Sequence, residues 1–458
     1  MKMRKYTQTI LIALGGFAMM ALSAAPANAQ APAAAAQGGQ QKPAYTMPEY
    51  NAFTACQNEK TDANQQVKCF EDFVSRFPSS TLMQYVYQLE VPAYQKLNNC
   101  QQVVAVADKL IAMDSVDVGT RAQAAISRIQ AFAQCFKPSD TNATDELTKD
   151  RDLALKIPAM LAQIPPKPGV NMQEALKPAL DLVYDQAGWA SLQLKDYQGA
   201  VSAYKNALQA KPEDAAASYE LGTAYLALNP PQTLDGFWAI ARAIDLKVPQ
   251  ADSIQKFLRT SILAYEQPGC DSQVDDQVKN MLQLAQNSPD RPATFTIPSA
   301  AELSQIRSNS TILTIIADLS GGGDKASQTW LATCGSELSA VSGKIIDAQQ
   351  GDGVVDFMVF TGATSDAMQA ATTANMDVKV YTTMPATPPA APAAGATAPQ
   401  ITPQPEVARL QKDDPIVFSG TVVSYDPSPF LLHWDDVKVD PTSIPAEKAA
   451  GRKTTKKP

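Results

Sequence analysis

Histidine is almost missing from this chain: His433 is the only one in 458 residues. The six cysteines, Cys56, Cys69, Cys100, Cys135, Cys270 and Cys334, include no two within a few positions of each other. Zinc ribbons and thioredoxin-like sites need such close pairs, and a lone imidazole leaves little for a Cys/His metal site, so no metal is expected. The sequence holds no Gly-x-Ser-x-Gly elbow, no dinucleotide fingerprint and no phosphate-binding loop ending in Lys-Ser/Thr. Gly321-Gly322-Gly323-Asp324 reads as a turn, and Gly351-Asp352-Gly353 offers one carboxylate where calcium wants several oxygens. His433, within Leu431-Leu432-His433-Trp434, reads as structural or surface-bound, and the adjacent carboxylates Asp413-Asp414 and Asp435-Asp436 as solvated. We therefore assign no catalytic residue and expect no cofactor and no enzyme.

Positive charge is also short. Lysine and arginine number 38 against 46 acidic residues, a net charge of −8, which repels phosphate backbones and argues against a nucleic-acid partner. The one basic cluster, Lys448, Arg452, Lys453, Lys456 and Lys457, falls in a tail at 446–458 that reads as a disordered solubilising end. Long apolar runs are absent after the first 29 residues. There, Lys2, Arg4 and Lys5 precede an apolar stretch from Ile10 to Ala25, and Ala27-Asn28-Ala29 follows. This is the pattern of a cleaved signal peptide, its apolar run shorter than the roughly 20 residues of a bilayer span. An uncleaved anchor is the other reading. Cleavage after Ala29 implies an exported, periplasmic or cell-envelope protein of a Gram-negative-type bacterium, without a transmembrane span. That compartment favours disulfides.

Proline and alanine collect in two linkers, 30–44 and 384–405, which lack the apolar side chains to offset chain ordering. Between them the pattern is helical to about 335 and then changes to short β-branched and aromatic runs. The helical part repeats. In 181–214, DLVYDQAGWASLQLKDYQGAVSAYKNALQAKPED, small Gly188, Ala200 and Ala207 let two helices approach, Tyr184 and Tyr204 fill the wider gaps, and Pro212 ends the second helix. Tyr184, Ala187, Gly188, Asp196-Tyr197, Ala200, Tyr204, Ala207, Leu208 and Pro212 resemble a full tetratricopeptide repeat; Ser191 departs from its usual aromatic. Leu221, Gly222, Ala224 and Tyr225 restart the unit, and Gly236, Ile240, Ala243 and Ile244 follow displaced by two residues, the insertion lying in Asn229-Pro230-Pro231-Gln232. Phe70, Phe73, Val74 and Pro78, then Tyr94, Val103, Ala107, Leu110 and Asp114, fit weaker units; an unrelated bundle over 45–136 stays open.

The resemblance implies an α+β protein, mainly α: a helical repeat domain at 45–290, capping helices at 291–335 and a β domain at 336–445. The repeat register implies Cys100–Cys135 between adjacent hairpins. Cys56–Cys69 would bridge one hairpin and Cys270–Cys334 would remain, although six cysteines allow 15 connectivities. The β segments, about 341–348, 354–360, 376–381, 416–425 and 430–439, have Gly343 and Gly420 inside strands and turns at 350–353 and 426–429. They resemble a small five-stranded OB-type barrel, anticodon-binding-like, with the second linker replacing the connection between strands three and four. A generic β-sandwich is the alternative.

In tetratricopeptide arrays the first helices line a groove that takes a peptide. Carried over by register, Asp185, Trp189, Leu192, Tyr219, Thr223 and Leu226 face it. Families that clamp a C-terminal carboxylate carry lysine, arginine and asparagine there, so this acid, aromatic and aliphatic set implies an apolar or basic peptide. Packing of Trp189 and Tyr219 against neighbouring helices is the competing reading. The function implied is an exported scaffold or adaptor for a protein or peptide partner; the alternative is an envelope enzyme with an unrecognised active site, the β domain recognising its substrate.

Overall fold

The computed structural model describes residues 45–166, 168–385 and 401–446. The expected signal peptide, the linker at 30–44, most of the insertion at 384–405 and the tail beyond 446 lie outside them. The chain divides into two compact units, Met1–Gln255 with Leu282–Pro292, and Lys256–Met281 with Ala293–Pro458.

The first unit is a succession of helix pairs: α1 (Met47–Asn58) and α2 (Ala63–Arg76), α3 (Met83–Lys96) and α4 (Cys100–Ile111), α5 (Val118–Cys135) and α6 (Ala143–Leu161), α7 (Met172–Gln193) and α8 (Tyr197–Ala210), α9 (Ala215–Ala227) and α10 (Thr233–Asp245). Their starts are set by side chains: Asp62, Asn99, Asp117, Asn171, Asp196 and Asp214 each accept a backbone N–H of the first turn. Their faces follow the helical period, as in α4, where Val103, Val106, Ala107 and Leu110 are buried. Each helix packs on the next, and first helices also touch one another, α3 with α5, α5 with α7 and α7 with α9.

Glycine sets the closeness of the pairs. A Cβ on Gly188 would stand 2.8 Å from ring carbons of Tyr204, and one on Gly222 would meet Ile240 Cγ1 at 2.6 Å and Gly236 O at 2.8 Å. The two-residue displacement has its reason in the turns: 194–196 joins α7 to α8, whereas 228–232 joins α9 to α10. The segment 45–136 holds paired helices in the same succession, with Phe70 and Phe73 fully buried.

α11 (Ala251–Glu266) and α12 (Ser272–Asn287) follow, then α13 (Ala300–Asn309), α14 (Ile312–Gly321) and α15 (Gly323–Thr333). Five strands come next: β1 (Glu337–Gln350), β2 (Val354–Phe360), β3 (Met376–Tyr381), β4 (Pro415–Pro427) and β5 (Phe430–Val439), with α16 (Ser365–Ala370) between β2 and β3. They close into a barrel in the order β1-β2-β3-β5-β4, all neighbours antiparallel except β3 and β5. This is the OB-type closure, and the sandwich alternative falls away. A Cβ on Gly343 would collide with Val359 Cγ1, and one on Gly420 would meet Val437 Cγ2 at 2.9 Å, so both glycines sit where the sheet bends tightly. Ile345, Phe357, Val378, Phe418, Leu432 and Trp434 fill the interior, in one core with Ile315, Leu319, Trp330, Cys270 and Cys334. The barrel therefore shares its core with α14 and α15.

Candidate partner-binding surface

The cysteines pair as Cys56–Cys69, Cys100–Cys135 and Cys270–Cys334, with Cα atoms 5.4, 6.0 and 5.6 Å apart. Among the described residues no cluster of three or more His, Cys, Asp or Glu is arranged to hold a metal ion, and no helix is long and apolar enough to cross a membrane. His433 stands across the parallel seam of the barrel: Nδ1 lies 3.0 Å from Asp377 Oδ2 on β3, and Nε2 3.0 Å from Asp426 Oδ2 at the end of β4. The imidazole thus ties three strands together.

The six residues carried over by repeat register lie on two first helices, and all six are half-buried. On α7 they are Asp185, Trp189 and Leu192. Trp189 packs on Phe136 edge-on at 5.4 Å between ring centroids and on Phe132 at 6.4 Å, both from α5 or just beyond it, so much of its ring joins two first helices. Leu192 packs on the cluster around Tyr204 and Leu221. On α9, Thr223 Oγ1 donates to the Tyr219 carbonyl at 3.1 Å, and burial, with Glu220 nearby, pushes the Tyr219 phenol up. Leu226 covers Gly236, where an added Cβ would meet its Cδ2 at 2.8 Å.

The electrostatics of this face are acidic. Asp181 stands one turn before Asp185 on α7; burial and the Asp214 carboxylate push it up to about 6, against the pull of Lys211 at 3.7 Å. Lys211 itself is bound closely to Asp214, 2.6 Å away. One buried Asp181 oxygen, Oδ1, has no hydrogen-bond partner among the described residues.

Two features were not singled out in the sequence. Arg128 on α5 is buried with Asp150 on α6 and Gln186 on α7, and the only trace of this is a carboxylate in the apolar row Leu147, Asp150, Ala154, Ile157 and Leu161. A recess of about 720 Å³ opens between the end of α6, the first turns of α7 and the end of α8, lined by Leu161, Ile164, Met172, Leu176, Leu180 and Tyr184 among others. It exists because α7 begins at Met172, well before the repeat register at 181.

Residues 191–231 match the family model of the tetratricopeptide repeat, from the end of α7 through α8 and α9 into the following turn. No curated protein matches the sequence. Among solved structures, a thermophilic tetratricopeptide protein of Thermus thermophilus is 13% identical, covering 47% of this chain and 99% of that one with a TM-score of 0.27. The C-terminal part of a tetratricopeptide-containing protein of Cytophaga hutchinsonii is 14% identical over 52% of this chain and 92% of that one, TM-score 0.24. A yeast Sti1 tetratricopeptide domain in complex with pHSP90 is 12% identical over 52% and 84%, TM-score 0.17. The stretch matched by the family model carries the tetratricopeptide repeat, and the close glycine contacts of Gly188 with Tyr204 and of Gly222 with Ile240 belong to the helix pairs that it reaches into.

Proposed function

We propose that the protein is an exported, non-catalytic scaffold that holds a protein or peptide partner along the first helices of its repeats. The observation that carries this reading is the continuous contact of α3, α5, α7 and α9, which makes one surface of successive first helices. Asp185, Leu192, Tyr219, Thr223 and Leu226 form its centre, and Trp189 lends it an edge beside Phe136. The acids Asp181, Asp185 and Glu220 favour a partner segment with a basic residue, set among apolar ones that meet Leu192 and Leu226. The three disulfides support an oxidising compartment and therefore export. The barrel unit either binds a second partner or stabilises the array.

A photo-crosslinking side chain placed at Thr223 in the exported protein should capture a defined partner, and the same side chain at Lys205 on the second helix should not. Asp185→Lys should weaken that capture. Equal capture at both positions would remove the groove from the proposal. N-terminal sequencing of the exported protein should begin at Gln30; a sequence beginning at Met1 would contradict export by cleavage.

A further inference from the structure

Glu266, the last residue of α11, is completely shielded from solvent. Its Oε1 accepts a hydrogen bond from Gln277 Nε2 of α12 at 2.9 Å. Among the described residues its Oε2 has no hydrogen-bond partner, and neither has Oε1 of the same Gln277. Two acceptor oxygens are thus buried without a donor on either side of one amide–carboxyl contact, an arrangement folded proteins avoid. A carboxylate would leave both orphaned. A carboxylic acid supplies the one donor that is lacking.

We propose that Glu266 is a neutral carboxylic acid in the folded protein, its Oε2–H donating to Gln277 Oε1, and that loss of this proton loosens the turn between α11 and α12. The acid and the amide then form a closed pair with one hydrogen bond in each direction. Burial pushes the Glu266 carboxyl up to about 7, opposed by the Gln277 bond. The titratable groups that bear on this place are Tyr265, its chain neighbour, and Glu302 of α13, which acts on the same phenol. On the neighbouring helices, Arg259 of α11 binds Asp275 of α12 at 2.6 Å, and Arg307 of α13 donates to the Ala332 carbonyl at 2.6 Å.

The turn that Glu266 introduces is a latch. Gly269 N–H donates to the Leu331 carbonyl at 2.9 Å, a Cβ on Gly269 would collide with the Cys334 carbonyl, and Cys270 is bonded to Cys334. An ionised Glu266 must regain water, and the turn that follows it directly in the chain is the segment whose contacts this strains. The Cys270–Cys334 bond should therefore be better protected at acidic than at alkaline pH.

Glu266→Gln tests this, because an amide keeps both hydrogen bonds of the pair at every pH. Thermal unfolding of the whole exported protein is measured at about pH 5.5 and about pH 8.5, on either side of the titration. Disulfide reduction by a phosphine is followed by peptide mapping, with Cys56–Cys69 as the internal reference. The variant should match the wild type at the acidic pH and melt higher at the alkaline one. Cys270–Cys334 reduction, relative to the reference, should quicken several-fold with pH in the wild type and stay level in the variant. A variant less stable by the same margin at both pH values would mean that Glu266 acts as a charged group, and would overturn the proposal. Carbon-13 carboxyl shifts of wild-type Glu266 give a reading that needs no variant: titration in the ordinary glutamate range would overturn it as well.

Discussion

Arg128 Nη1 lies 3.0 Å from Asp150 Oδ1, and both side chains are closed off from water. Asp108 of α4 meets Arg128 Nε at 3.1 Å, Glu146 of α6 meets Nη2 at 3.7 Å, and Gln186 of α7 donates to Asp150 Oδ2 at 2.6 Å. Four successive helices thus meet on one buried ion pair. Such a pair adds little net stability over a well-packed apolar core, but any slippage of one helix leaves a buried charge uncompensated. Asp150→Ala should therefore cost about 3–5 kcal/mol in urea unfolding. Arg128→Met combined with Asp150→Leu should cost much less than Asp150→Ala alone. Additive losses would show that the pair acts as two separate hydrogen-bonding residues.

Gly188 gives a steric test. Tyr204 faces it and is 1% exposed, so it has little room to withdraw. Gly188→Leu should lower stability by about 1–3 kcal/mol or somewhat more, read from the urea midpoint. Trp189→Ala should lower it too, through the lost contacts with Phe132 and Phe136, whereas Trp189→Phe should keep most of it. Unchanged stability in Trp189→Ala would make the ring a pure surface feature.

Glu90 on α3 should make the first unit sensitive to pH. Burial, with Glu71 nearby and against the pull of Lys109, pushes its carboxyl up from 4.5 to about 7. The folded chain then holds this proton more tightly than the unfolded chain does. The stability it contributes is complete below about pH 4.5, falls as pH rises toward 7, and is level above that. Glu90→Gln should shrink the difference in unfolding free energy between those two ends of the window. An unchanged difference would assign the pH dependence to other groups.

Cys100 and Cys135 join the start of α4 to the end of α5, closing 35 positions of chain. In the chain-entropy picture that is worth about 3–4 kcal/mol. Cys100→Ser with Cys135→Ser should therefore lower stability and leave the helical content intact, as circular dichroism would report. Non-reducing peptide mapping that joined Cys100 to Cys270 or Cys334 would contradict the order in which the helices stack.

The repeat was legible because close helix contact admits few residues: Gly188 faces Tyr204 of the next helix, where Ala200 and Ala207 stand one turn to either side of that ring. The barrel strands were legible through alternation, as in Met376, Val378 and Val380, all buried, with Asp377, Lys379 and Tyr381 between them. Other elements hid for physical reasons. α7 runs back to Met172 through Pro178, a residue that ordinarily ends a helix. β1 begins at Glu337, before the expected 341, because a bulge with Ala340 at φ 55° lets Leu338 resume pairing with Gly420. Asp150 stands in an apolar row of its own helix, but nothing along the chain says which cation meets it, and only packing reveals Arg128 as the partner. Trp189 shows the same limit: repeat register sets its place on α7, but the aromatic neighbours that hold it come from another hairpin.

The strand order of the barrel carries a consequence for its assembly. The helix pairs close between chain neighbours, whereas β1 pairs with β4, as Gly343 with Ile416, and β3 with β5, as Asp377 with His433. Contacts so distant in sequence form slowly, and the last two strands are also the last to be synthesised. A chain cut before Pro415 would hold β1, β2 and β3 as a sheet open at both edges, an invitation to aggregate. Lengthening the connection between β3 and β4 is mild by comparison, since doubling the length of a loop adds only about 0.6 kcal/mol. The barrel thus tolerates variation in the middle of its span and none at its end.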